Sequence, residues 1–191
     1  MGGANERTTA ILEGARDNIT GSIAVSDNDH KYIHDGYGFS IIGNTGALSA
    51  AASWYISFRT PIATSGKFVH LRPAILSSTA NLLLMQVHEG SLATVGTAAV
   101  PINLNRNKST SSPSKVVATT NATSVTDGTA ILQMAVGAAG TGNASGGGGG
   151  SGLERVLKPD TLYTIKFTNI GTATATTGYF DIYWYEELKG E

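Results

Sequence analysis

From Tyr37 onward the chain falls into short β-prone segments, most of which alternate apolar and polar side chains with a period of two. "SWYISFR" (53–59) sets Trp54, Ile56 and Phe58 against Tyr55, Ser57 and Arg59. "KFVHLR" (67–72) sets Val69 and Leu71 against Phe68, His70 and Arg72. "LLLMQVHE" (82–89), "LYTIKFT" (162–168) and "YFDIYWYEE" (179–187) repeat the pattern, while "YGFSII" (37–42), "TAILQM" (129–134) and "RVLK" (155–158) are further candidates. A period of two puts alternate side chains on opposite faces of a strand, so these segments read as half-buried antiparallel strands. Turn residues separate them, among them Gly43-Asn44, Glu89-Gly90-Ser91, Asp127-Gly128 and Lys158-Pro159-Asp160. Eight to ten strands without a long helix predict a β-sandwich or barrel. Trp54, Phe58, Val69, Met85, Phe167, Phe180 and Trp184 are its expected core.

The run of five glycines, Gly146–Gly150, raises the question of one domain or two. Only residues 153–191 follow it, with two clear strands and one short one. A unit of that size without disulfides or metal rarely stabilises itself. Its large residues Phe167, Phe180 and Trp184 need a facing layer, which only the strands before the glycines can supply. The stretch 138–152 is therefore expected to be a loop inside one domain, 31–191, since loop-closure entropy grows only logarithmically with length. A second long polar loop is expected near 103–128, with Arg106, Lys108 and Lys115 as a basic cluster.

Residues 1–30 are polar and carry no clear period, and they are expected to form an arm. Ile11, Leu12, Ile19, Ile23 and Val25 are too few to make a core alone, so they are expected to bury against a partner. Arg106 and Lys108, within "NLNRNKS" (103–109), are expected to donate to a carboxylate on that partner.

Charged residues make up 14% of the chain, against roughly 25% in an average domain, and the net charge is −1. No broad electrostatic attraction to nucleic acid or to a membrane is expected. With no cysteine, thiolate catalysis and zinc–thiolate sites are excluded. The N-terminal segment reads as neither a secretory signal nor a membrane span, so synthesis in a cytoplasm is expected.

The clusters with chemical potential are sparse. "DNDHKYIHDG" places Asp27, Asp29, His30, His34 and Asp35 close together, a donor set suited to a divalent cation. Gly36 and the strand after it argue for an extended lead-in that separates the histidines, so the stretch reads as a solvated turn. The glycines of "GAAGTGNASGGGGG" lack the following helix that a phosphate loop requires. No G-x-S-x-G is present, and His70 and His88 read as partly exposed strand residues. Glu186 and Glu187 point to opposite faces, cannot act as an acid/base pair, and read as a solvated strand end. No catalytic residue, cofactor or metal is expected.

"HKYIHDGYGFSIIG" (30–43), "ISFRTP" (56–61) with "KFVHLRP" (67–73), "VHEG" (87–90), "PINLNRN" (101–107), "VLKPDTLYTIKFTN" (156–169) and "WYEE" (184–187) together resemble the small capsid decoration, or cement, proteins of tailed bacteriophages. The similarity runs through most of the chain from His30 onward; the glycine run has no counterpart in it. It implies a jelly roll and a homo-oligomer, expected to be a trimer, bridging subunits of the major capsid protein on the virion. The expected fold is all-β, a jelly-roll-like two-sheet β-sandwich with an extended N-terminal arm. The expected function is non-enzymatic stabilisation of the shell from outside. A receptor- or glycan-binding module of a phage head or tail fibre is the alternative.

Overall fold

The computed structural model describes residues 28–94, 96–108, 113–137, 144–145, 154–172 and 175–188. The chain divides into two units, Met1–Lys31 and Tyr32–Glu191. Of the first, only the opening of helix α1 (Asn28–Asp35) is described.

The second unit is an all-β sandwich of two antiparallel sheets. Its framework strands are β1 (Gly38–Asn44), β2 (Ser53–Arg59), β3 (Lys67–Ser78), β4 (Leu83–Glu89), β10 (Thr129–Val136), β12 (Arg155–Leu157), β13 (Leu162–Asn169) and β14 (Gly178–Leu188). These coincide with the eight segments picked out by their β pattern. One sheet runs β12-β3-β14-β1, the other β10-β4-β13-β2. Successive strands mostly alternate between sheets, and the first strand lies beside the last, Phe39 opposite Trp184 and Ile41 opposite Ile182. That order is the jelly roll.

The core lies between the sheets. Phe39, Val69, Leu71, Phe180, Ile182 and Trp184 from one sheet meet Ile56, Phe58, Leu83, Met85, Ile165 and Phe167 from the other. Aromatic rings join the layers: Phe58 meets Trp184 edge-on at 5.2 Å, and Phe167 stacks on Phe180 at 5.0 Å. Six of the seven expected core residues are fully enclosed; Trp54 is half-buried and packs on the edge of the cluster against Phe180 at 5.4 Å.

Between β4 and β10 the chain makes an insertion whose later part, 103–128, is the stretch expected to be a long polar loop; strands run through it. The insertion carries β5 (Leu92–Thr94), β6 (Thr97–Ala99), β7 (Ile102–Asn103), β8 (Val117–Thr120) and β9 (Thr123–Thr126). β7 extends the first sheet alongside β1; β8 and then β6 extend the second alongside β2. β5 and β9 form a separate ribbon. Threonine, polar yet β-branched, is what allows "VATT" and "TSVT" to form strands. Val116, Ala118 and Ala122 are buried there. In the stretch 138–152, Ala144–Ser145 form β11 beside Ser77–Ser78 of β3; the remainder lies outside the described residues.

Residues 28–35 are helical, which corrects the extended lead-in expected before Gly36. The helix ends because Gly36 adopts φ +83°, a left-handed conformation that costs glycine little. Gly36 N donates to Ile33 O at 3.0 Å and Tyr37 N to Tyr32 O at 2.8 Å, the paired bonds of a Schellman cap.

Candidate functional site

The densest cluster of ionisable groups lies on the outer face of the first sheet. His70 and Arg72 share a face of β3, and Tyr185 and Glu187 share a face of β14, because each pair is two residues apart. The register then sets His70 directly opposite Tyr185. Glu154, just before β12, completes the group.

Glu154 Oε1 accepts from His70 Nδ1 and from Tyr185 OH, both at 2.7 Å. Its Oε2 accepts from Arg72 Nε at 2.8 Å and Nη2 at 2.5 Å. The second ring nitrogen of His70 meets Glu187 Oε2 at 2.7 Å. The imidazole thus has a carboxylate oxygen at each ring nitrogen. The Tyr185 ring is sandwiched between His70 at 4.4 Å and Tyr32 of α1 at 4.7 Å, both nearly parallel to it.

Burial, the largest single influence on Glu154, pushes its pKa up; the bonds from His70, Tyr185 and Arg72 together outweigh it and hold the carboxyl below its ordinary range. Burial, together with the Glu154 carboxylate, raises the Tyr185 phenol. Every lone-pair direction of Glu154 is occupied, and these groups answer one another. The network ties the start of β12 onto β3 and β14, and so anchors the chain where it rejoins the sheet after the glycine-rich stretch. His70 is a partly exposed strand residue, as expected, and is in addition a bonded hub.

The pair Glu186–Glu187 departs in part from expectation. The two carboxylates do point to opposite faces, but only Glu187 keeps contact with solvent. Glu187 joins the His70 network, and Glu186 is 0% exposed. Glu186 Oε1 accepts from Ser114 Oγ and Lys115 N, each at 2.7 Å, and Oε2 lies 3.5 Å from Lys67 Nζ. That ammonium also sits 4.0 Å above the Tyr37 ring. His88 is buried as well, 6% exposed, with Nδ1 at 3.3 Å from Gly128 O.

A third network closes the turn between β12 and β13. Lys158 Nζ bonds Glu89 Oε1 at 2.5 Å, and the buried Tyr163 donates its hydroxyl to Glu89 Oε2 at 2.9 Å. Burial, with the Glu89 carboxylate beside it, pushes the Tyr163 phenol up to about 12. The bond from Lys158 is the main reason the Glu89 carboxyl falls below its ordinary range.

The residues expected to bind a partner divide into two sets. Ile11, Leu12, Ile19, Ile23 and Val25 lie outside the described residues. Arg106 and Lys108 are exposed, beside the end of α1. Lys108 Nζ reaches Asp35 O at 3.3 Å, Asn105 Nδ2 reaches His34 O at 2.7 Å and Asn103 Nδ2 reaches Gly36 O at 2.9 Å. Three side chains of the insertion thus donate to the last carbonyls of the helix region, where a cation is also favoured by the helix dipole. Arg106 Nη1 lies 3.5 Å from Asn103 O.

The insertion also carries large aliphatic side chains in solvent: Val100 is 84% exposed, Leu92 68%, Val117 66% and Ile102 41%. Sequence inspection missed this set because its members are scattered over 92–117 and follow no period of two or of 3.6. The signal was available in "AAVPIN" (98–103), where two large aliphatics flank a proline that limits strand pairing. Glu154 left no local signal, since its partners His70 and Arg72 lie 84 and 82 residues away.

No protein-family model, curated protein or solved structure matches this chain.

Proposed function

We propose that this chain is a non-enzymatic virion structural protein, a capsid decoration protein that binds the outside of a phage shell and strengthens it. The observation that carries this reading is the aliphatic set Leu92, Val100, Ile102 and Val117, all on the one segment inserted into the jelly roll. The insertion carries four of the exposed aliphatics, with Ile42, Ile62, Val156 and Ile170 elsewhere on the surface, and exposed aliphatics on one segment suit docking on another protein. The low charge of the chain fits a subunit that works immobilised on a particle. The internal pairing of His70, Arg72, Glu154, Tyr185 and Glu187 fits a structural use of those groups.

Binding to empty phage capsids tests the proposal. Saturation at a fixed ratio to lattice sites, lost on Val100→Asp with Ile102→Asp, is the expected result. Attachment to host cells or glycans with no binding to shells would replace this reading by the receptor-binding alternative. Capsids without the protein that resist heat and low salt as well as complete ones would remove the strengthening role.

A further inference from the structure

Sheet edges are where a β protein recruits other strands, because their outward backbone groups are unpaired. Among the described residues, most edges here are short. β7 is two residues long and follows Pro101; β6 has three residues, close before the same proline. β11 and β12, beyond β3, have two and three residues. β10 differs. It runs eight residues, "TAILQMAV", contains no charge and no proline, and pairs only with β4 among the described strands.

The strand is not uniform. Its register on β4 shifts between Ala130 and Leu132, and such a bulge twists the strand locally and blunts that end of the edge. From Leu132 to Val136 the pairing is regular, Leu132 opposite Val87 through Val136 opposite Leu83. Within this stretch Leu132 and Val136 are buried and Met134 packs on the core, while Gln133 and Ala135 face solvent. Gln133 Oε1 accepts from Gln86 Nε2 at 3.2 Å, so the outer row is already an amide pair.

We propose that Leu132–Val136 is a self-association edge, on which β10 of a second copy adds antiparallel about a two-fold axis at Met134. This centre is set by the bulge, because it pairs all five regular residues and none of the distorted ones. Directly opposite residues in an antiparallel pair share a face. Leu132 then meets Val136 of the second copy on the core side, and Gln133 meets Ala135 on the solvent side. No charge opposes another, and both sandwiches keep their cores on the same side of one continuous sheet. The match of the strand to itself is the reason to name a second copy as occupant, since a two-fold contact must be self-complementary. Five residue pairs bury less than the roughly 1,000 Å² of a stable interface, so the dimer is reversible and depends on concentration.

The test is sedimentation equilibrium of the full chain over a range of concentrations. Wild type is expected to show a monomer–dimer equilibrium. Gln133→Lys with Ala135→Lys sets lysine opposite lysine twice and is expected to weaken association by about tenfold or more. The matching double glutamate variant should behave alike, and mixing the two variants should restore dimers as heterodimers. Both positions are exposed, so circular dichroism and the urea midpoint are expected to match wild type, which separates lost pairing from lost folding. A wild type that stays monomeric throughout overturns the proposal, as does a dimer or trimer of unchanged strength in both variants. Loss of association on Ile19→Asp or Ile23→Asp, with the fold intact, would give the contact to residues 1–27 instead and overturn it too.

Discussion

His70 and Glu154 are 84 residues apart in the chain, yet Nδ1 of one lies 2.7 Å from Oε1 of the other. The contact exists because β12 returns to pair with β3, Val156 opposite His70, and so brings the residue before it beside the β3–β14 face. It ties the chain down directly after the glycine-rich stretch, and its cost and pH dependence can be measured.

Glu154→Gln is expected to cost roughly 1–3 kcal/mol, because three donors lose their charged acceptor. Urea unfolding should show a lower midpoint with an unchanged slope. The Glu154 pKa is lowered from 4.5 on folding, so its stabilisation is complete above that value and is lost as pH falls through the depressed one. Wild type should therefore lose its advantage over Glu154→Gln as pH falls below 4.5. A constant difference across that range would show that the carboxylate does no such work.

Lys67→Met is expected to be more damaging than a surface substitution. Among the described residues Lys67 is the cation paired with the buried Glu186 carboxylate, at 3.5 Å. Removing one member of a buried pair typically costs about 3–5 kcal/mol, since the other charge stays buried. The double variant Lys67→Met with Glu186→Gln should recover part of the loss. Thermal unfolding of the three proteins decides, and a double variant no better than the single one would refute the pairing.

Phe58→Ala is expected to destabilise by about 3–5 kcal/mol, as for other buried aromatics truncated to alanine. Its edge-on contact with Trp184 should appear as a coupling of about 0.5–1.5 kcal/mol in a double-mutant cycle with Trp184→Leu. Additive losses would mean that the rings serve only as buried area.

Tyr163 is expected to ionise with a midpoint near 12, and Tyr185 above its ordinary range. Because folding raises the Tyr163 pKa from 10, its contribution to stability is complete below about pH 10 and is lost as pH rises to about 12. Tyr163→Phe should flatten that part of the stability curve. Ultraviolet titration showing every tyrosine ionised by about pH 10.5 would exclude the arrangement.

Much of the fold could be read from local pattern. Trp54, Ile56 and Phe58 share a face because strand geometry alternates, whatever surrounds the strand. The eight framework strands follow from that rule and from the turn residues between them, and so does the placement of Phe167, Phe180 and Trp184 inward. The insertion strands were hidden because "VATT" and "TSVT" carry almost no hydrophobic signal; their strand character comes from β-branched side chains and from β2 and β5 as templates. The helix before Gly36 was hidden as well, because its cap depends on carbonyl bonds to Asn103, Asn105 and Lys108.

The candidate sites were less legible. Alternation alone puts His70 with Arg72, Tyr185 with Glu187, and Glu186 on the same side as Trp184. Which of these groups meet is a matter of strand order and register, properties of long-range pairing that no local segment contains. Glu186 can remain inside because Ser114, Lys115 N and Lys67 converge on it, and the three come from separate parts of the fold. The amino-acid sequence by itself determined the faces of the strands, since side-chain direction follows from backbone geometry one residue at a time. Only the tertiary structure decided the partners of His70, Glu154 and Glu186, since a buried charge is tolerated only where distant groups arrive to compensate it.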